Sequence, residues 1–282
     1  MATATAARSS RAKAEKTDRL SLKSVRTKAP KLPSRIVIHG VEGIGKTSFP
    51  SSAVKPIYLQ AKGETGLETL ISAGQLPEVS HLPEITYWPE LLEILDQLRD
   101  EEHEFRTLVL DTLNGFERLC FEYVCETMYG GNWGKNGFSA YQQGYESSLS
   151  EWRLFLSKLD QLRTRSKPMA VIPLCHTKII NFKNPEGADF DRYQPDMHHK
   201  TWSLTHKWAD MVLFFNYLTV VSEKQNERKK GKGGTDRFAY TQRSAAFDAK
   251  NRHGLPEQFS LGSDHLEAYQ NFAKAMKGGE AE

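Results

Sequence analysis

Gly40-Val41-Glu42-Gly43-Ile44-Gly45-Lys46-Thr47 satisfies GxxxxGK[ST], and it follows directly on the apolar run from Arg35 to His39. Glycines at these positions let the backbone wrap an anion, so that successive N–H groups point inward and the positive end of a following helix adds to the attraction. Lys46 is then expected to reach the β and γ phosphates of a nucleotide, and the Thr47 hydroxyl to ligate magnesium. Gly40 to Thr47, with Ser48, form the candidate nucleotide-binding segment. Pro50 stands only four residues past Lys46, which argues for a short or bent first helix.

A phosphate loop of this kind needs a carboxylate to hold magnesium through its water shell. Thr107-Leu-Val-Leu-Asp111 offers one, an apolar run ending in an acid where open α/β sheets bind ligands. The alternative for Asp111 is a cap on a helix starting near Gly115. Hydrolysis also needs a group that polarises water, and Glu64, just after the run Ile57 to Gln60, is suited to act as general base. His176 ends the run Met169 to Cys175, where its ring can bond a γ phosphate or the attacking water. Its plainer reading is a structural donor. His198, His199 and His206 lack the spacing of a metal set.

These side chains require a scaffold that brings the ends of several strands together. From Arg35 onward, short apolar runs alternate with amphipathic stretches, which predicts α/β architecture with a mostly parallel central sheet flanked by helices. Strands are expected at Ile36–Ile38, Ile57–Leu59, Leu108–Leu110, Ala170–Leu174 and Met211–Phe215. Helical spacing of leucines and aromatics predicts helices over about 90–104, 116–128 and 147–165. Gly130 to Gly144 and Asn181 to Lys200 read as long functional loops. Glu223 to Arg237 reads as the flexible tip of a hairpin.

Three cysteines in 282 residues, with no CxxC spacing, argue against a disulfide-stapled secreted module. No apolar run approaches a membrane span and no signal-like run follows Met1, so a cytoplasmic protein without a membrane partner is expected. The net charge of +3 conceals an uneven distribution. Residues 1–35 carry ten basic and two acidic side chains, a net of +8, and the remainder carries 28 and 33, a net of −5. Residues 1–33 are therefore expected to be a disordered basic arm, 34–270 the folded domain and 271–282 a flexible tail. As a function for the arm, a solubilising tail, an electrostatic tether for nucleic acid and an organellar transit segment all remain open.

Taken together, IHGVEGIGKTS, IYLQAKGETGLETL, TLVLDTLNGFERL, VIPLCHTKIINF, KWADMVLFF and AFDAKNRHGLP resemble the RecA-like P-loop ATPases. More closely, their order resembles short nucleotide-binding proteins of phages and prophages, some of which are single-strand annealing recombinases. The resemblance implies ATP and Mg2+ as cofactors, and a sheet whose His176 strand lies between the phosphate-loop and Asp111 strands. It implies Glu64 as the catalytic glutamate and His176 as the γ-phosphate sensor. It further implies a homo-oligomer, ring or filament, in which Lys250 and Arg252 reach a neighbour's γ phosphate. Two loops would face single-stranded DNA, with Trp133, Lys135, Phe138, Tyr141 and Tyr145 in one and Lys178, Lys183, Arg192, Tyr193 and Lys200 in the other. A single-strand DNA-binding protein is a further partner the resemblance allows, and a phage-encoded chain would work in the cytoplasm of a bacterial host. The reading is an ATPase acting on single-stranded DNA in recombination, annealing or replication. The alternatives are a helicase-like or loader motor, and a nucleotide switch or small-molecule kinase without DNA.

Overall fold

Strand β1 (Ile36–Gly40) is buried along its whole length because it has a sheet neighbour on each side and helices over both faces. In a computed structural model of the chain, which describes residues 24–221 and 231–278, it sits near the middle of a ten-stranded mixed sheet. With β2 (Pro56–Gln60), β3 (Ser80–His81), β4 (Thr107–Asp111), β5 (Ala170–Phe182), β7 (Met211–Val221), β8 (Gly231–Tyr240) and β10 (Gln258–Ser260), the order is β10-β8-β7-β1-β5-β4-β2-β3. Two shorter strands lie off this path: β6 (Phe190–Pro195) pairs with β5, and β9 (Lys250–Asn251) with β7. Strands β7, β1, β5, β4, β2 and β3 run parallel, and β8, β10, β6 and β9 join antiparallel. Contacts divide the chain into Met1–Leu32 and Pro33–Glu282. Most of the expected arm, residues 1–23, lies outside the described residues.

Successive residues of the strands feed opposite faces. Val37, Leu108, Leu110 and Val171 enter one core beneath α2 (Trp88–Asp100), α3 (Leu113–Tyr129), α4 (Gln143–Leu162) and α5 (His199–Trp208). Ile36, Ile38, Val109 and Ile172 enter the other, which is covered by α1 (Gly66–Ser72), a 3-10 turn Phe49–Ser52 and α6 (His265–Met276). Trp88 and Trp152 stack at 6.0 Å in the first core and clamp α2 to α4.

The five expected strands and three expected helices are present, but the long loops differ from expectation. Residues 181–200 are largely regular: β5 continues to Phe182, turns into β6, and α5 begins at His199. Beyond His176 the strand leaves β1 and the core and pairs as a hairpin with β6, so the apolar signal ends before the strand does. Gly130 to Gly144 holds a 3-10 turn (Ala140–Gln142) and is anchored by Phe138, which is fully buried against Phe121, Val124 and Cys125. Of Glu223 to Arg237, residues 231–237 belong to β8, and 223–230 lie outside the described residues.

The expected tail at 271–282 is corrected over 271–276, which form the second half of α6. Asp264 caps this helix by accepting from the Glu267 N–H at 2.9 Å. Phe272 meets Phe49 at 5.7 Å and Phe259 at 5.9 Å between ring centroids. A Phe272→Ala variant should lose about 3–5 kcal/mol of unfolding free energy in urea denaturation. A change within experimental error would return this segment to the status of a tail.

Candidate nucleotide site

After Gly40 the chain makes one helical turn, closed by Phe49 N–H donating to Gly45 O at 3.0 Å, and then tightens. Pro50 has no N–H to continue the ladder, so the path runs through the 3-10 turn Phe49–Ser52. The short or bent first helix expected from Pro50 is here one turn followed by a 3-10 turn. Gly40 admits no side chain, because a Cβ there would stand 2.4 Å from Phe215 O on β7. Lys46 arches back over the loop, its Nζ donating to Gly40 O and Val41 O, both at 2.9 Å. Burial lowers its pKa, and the carboxylates of Asp111, Glu42 and Glu64 oppose that shift. Tyr58 Oη holds the Thr47 carbonyl at 2.9 Å from below.

The strand order lifts three further groups to the same rim. His176 on β5 pairs in register with Gly40, and Asp111 on β4 pairs with Gln60 at the end of β2. Thr47 Oγ1 donates to Asp111 Oδ2 at 2.9 Å. Asp111 is nearly sealed from solvent, and burial pushes its pKa up to about 6 despite the Thr47 bond. A cation close by would favour its ionised form. Hydroxyl and carboxylate oxygens are hard donors of the kind magnesium takes alongside phosphate oxygens, so Thr47 and Asp111 fit that ion. Among the described residues no group of three or more His, Cys, Asp or Glu could hold a metal by itself.

Glu64 follows β2 in a turn closed by its own N–H on Ala61 O at 3.1 Å and by Gln60 Nε2 on the Glu64 carbonyl at 2.6 Å. Its Oε1 accepts from Thr112 Oγ1 at 2.7 Å and lies 3.4 Å from His176 Nε2. Burial raises the Glu64 pKa, but the bonds from His176 and Thr112 outweigh it and the net shift is downward. The Glu64 hydrogen bond in turn raises the pKa of His176. At neutral pH Glu64 is thus an ionised acceptor, the form a base requires.

Sequence reasoning missed Thr112, Asn114, Tyr58 and Arg237. Thr112, rather than Asp111, caps α3, accepting from the Gly115 N–H at 3.4 Å, which leaves the aspartate free of that role. Asn114 Oδ1 accepts from the His176 backbone N–H at 3.1 Å and fixes β5 at the level where β1 ends. The hydroxyl and amide immediately after Asp111 were the available signal. Arg237, on a distant strand, donates to Ile44 O at 3.3 Å, and nothing in its local sequence announces that contact.

Other expected residues are placed elsewhere. Lys250 and Arg252 lie at or just beyond β9, which pairs with the start of β7 at the end of the sheet opposite the phosphate loop. Lys250 Nζ donates to the His206 and Ala209 carbonyls at the end of α5, and burial lowers its pKa to about 8. Arg252 is exposed. Trp133, Lys135 and Tyr141 are also exposed, Tyr141 at 94%. Phe138 is core, and Tyr145 stacks on His198 at 4.3 Å.

The β5–β6 hairpin corrects the second expected DNA-facing set. Arg192 is only 7% exposed, its guanidinium 3.2 Å from Asp248 and over the Phe182 ring. Tyr193 packs on Phe214 at 5.2 Å. Lys178 pairs with Asp196 at 3.1 Å, Lys183 with Asp189 at 2.6 Å, and Lys200 with Glu146. Arg192 and Tyr193 are thus taken into the fold, whereas Lys183 stays at the surface with Asp189 beside it.

A family model described as an AAA domain matches residues 32–253, which include the phosphate loop, Glu64, Asp111 and His176. The chain belongs to the AAA-domain family. Its AAA domain is of the P-loop ATPase type, with a mixed α/β fold around a central sheet. Among solved structures it is similar to one described as a prototypical ATPase from the type III secretion system of pathogenic bacteria, with 15% identity and a TM-score of 0.40. That similarity covers 65% of this chain and 52% of the other, so the chain spans about half the length of that ATPase. No curated protein matches. Among the described residues of this AAA domain, no helix is long and apolar enough to cross a membrane.

The helix that begins at the site, α3, is tied to α5 by a buried acid. Glu117 accepts from the His198 N–H at 3.1 Å and from the Thr201 hydroxyl, yet burial pushes its pKa from 4.5 to about 7. Because the folded form holds this proton more tightly than the unfolded chain, its contribution to stability falls as pH rises from about 4.5 to 7, by up to about 3 kcal/mol. Glu117→Gln should flatten the dependence of unfolding free energy on pH across that window in urea titrations. An unaltered slope would assign it to other groups.

Proposed function

We propose that the chain binds Mg-ATP at the rim formed by Gly40 to Ser48, Asp111, Glu64 and His176, and that it couples hydrolysis to single-stranded DNA. The observation that carries this reading is the convergence of Lys46, Thr47, Asp111 and Glu64 at the carboxyl ends of β1, β4 and β2 with His176, which sits on β5 level with the end of β1. Lys46 would leave the Gly40 and Val41 carbonyls for the phosphates, exchanging two neutral acceptors for a charged one. Thr47 and Asp111 would hold magnesium, which neutralises charge on the phosphate oxygens. Glu64, fixed by Thr112, would orient water and take its proton, and His176 would bridge Glu64 and the γ phosphate as the sensor.

The DNA part of the proposal rests on Trp133 and Tyr141, exposed aromatics beside Lys135 on the loop after α3, where bases would stack without sequence readout. It also includes head-to-tail assembly, with exposed Arg252 rather than carbonyl-bound Lys250 reaching a neighbour's γ phosphate. A nucleotide switch without DNA is the second reading, favoured by the paired cations of the β5–β6 hairpin.

ATP turnover with and without single-stranded DNA separates these readings. Lys46→Ala should abolish turnover in a folded protein. Glu64→Gln should retain ATP binding while kcat falls by about 100-fold or more. DNA should stimulate the wild type, and Trp133→Ala with Tyr141→Ala should weaken that stimulation. Absence of both DNA binding and stimulation would select the switch reading, and full activity of Lys46→Ala would overturn the site.

A further inference from the structure

Arg237 lies on β8 opposite Tyr217 of β7, with its own carbonyl taken by the Leu261 N–H at 2.8 Å. Its guanidinium donates only to backbone carbonyls: Gly262 O at 2.9 and 3.3 Å, and Ile44 O within the phosphate loop at 3.3 Å. Among the described residues no carboxylate forms an ion pair with it, although Asp264 and Glu267 lie within its electrostatic reach. A half-buried cation therefore bridges the Gly262 carbonyl and one carbonyl of the loop.

We propose that Arg237 is a positioning residue for phosphate binding. The inference rests on the reading of Gly40 to Ser48 as the phosphate site. In a planar trans peptide the C=O and the N–H point in opposite directions, so holding the Ile44 carbonyl from outside turns the Gly45 N–H toward the interior of the loop. A cation on that carbonyl also polarises the Ile44–Gly45 peptide and makes its N–H a stronger donor to an anion. Gly45 has φ +102°, and a Cβ there would stand 3.0 Å from Arg237 Nη1, so the glycine and the arginine fit one another.

The loop needs this external support because Pro50 ends its helix after about two turns. Arg237 joins the loop to Gly262, two residues ahead of Asp264, the cap of α6. His265 at the start of that helix is 2.8 Å from Ser52 Oγ in the 3-10 turn. The loop is thus held from behind by the last strand pair and the last helix, in place of a long helix of its own.

Titration calorimetry with ADP and a non-hydrolysable ATP analogue, alongside steady-state kinetics and thermal melts, tests the assignment. In Arg237→Ala, Kd for both nucleotides and KM for ATP should rise about tenfold or more, while kcat at saturating ATP changes by less than about threefold. Arg237→Gln, which can still donate to the carbonyl but lacks the charge, should fall between the two proteins. A Kd unchanged in a folded variant would overturn the proposal, as would a kcat that falls tenfold at unchanged Kd. Should Arg237→Ala not fold, Arg237→Lys decides by the same readings. Failure of the wild type itself to bind either nucleotide would refute the site reading beneath it, an outcome distinct from failure of the arginine.

Discussion

The hydrogen bond between Thr47 and Asp111, 2.9 Å long, joins segments 64 residues apart that leave strands which are not neighbours. β5 lies between β1 and β4, so the bond spans the width of a strand over the sheet's rim and closes only if the ends of β1 and β4 are level across β5. Parallel pairing of Gly40 with His176, and Asn114's hold on the backbone of His176, provide that alignment. The connection has to be stiff because burial opposes the charge on Asp111. A loosely held carboxylate would turn to solvent instead.

Support beneath the loop comes from distant parts of the chain. A phosphate loop followed by a long helix is stabilised locally, whereas here Pro50 removes the hydrogen bonds that such a helix would supply. The missing contacts are replaced by Tyr58 under Thr47, Arg237 against Ile44, and the aromatic group of Phe49, Tyr269 and Phe272 between the turn and α6. Such a loop depends on residues 231–276 being folded, which joins the integrity of the nucleotide site to the stability of the β7–β8–β10–α6 quarter.

The legibility of the sequence follows the locality of each determinant. Gly40 to Thr47 and the strand ending at Asp111 were readable because motif, apolar run and ligand position occupy adjacent residues. α4 was readable because Leu149, Trp152, Leu156 and Leu159 recur at helical spacing and all are buried. β6 and the outer half of β5 were not, because they bury little on either face and are defined by pairing with one another. α6 was missed because its small buried residues, Ala268 and Ala275, give a weak stripe with one large member, Phe272. Arg192 shows the opposite error: the resemblance implied a DNA-facing cation, and only tertiary structure supplies the Asp248 that takes it inside.

Two carboxylates at one rim, Glu64 and Asp111, are given opposite dispositions by their surroundings. Glu64 accepts from a hydroxyl and faces an imidazole that can carry the complementary charge, and this lowers its pKa against the cost of burial. Asp111 accepts one neutral hydroxyl in a nearly sealed position and is raised to about 6, with the charge of Glu64 adding to the upward shift. The acid that holds its charge unaided is suited to act as a base, and the acid that resists ionisation is suited to a cation that restores it. The assignment of base and metal ligand therefore follows from which acid has an internal counter-charge, and that depends on the placement of β5, which sets His176 beside Glu64.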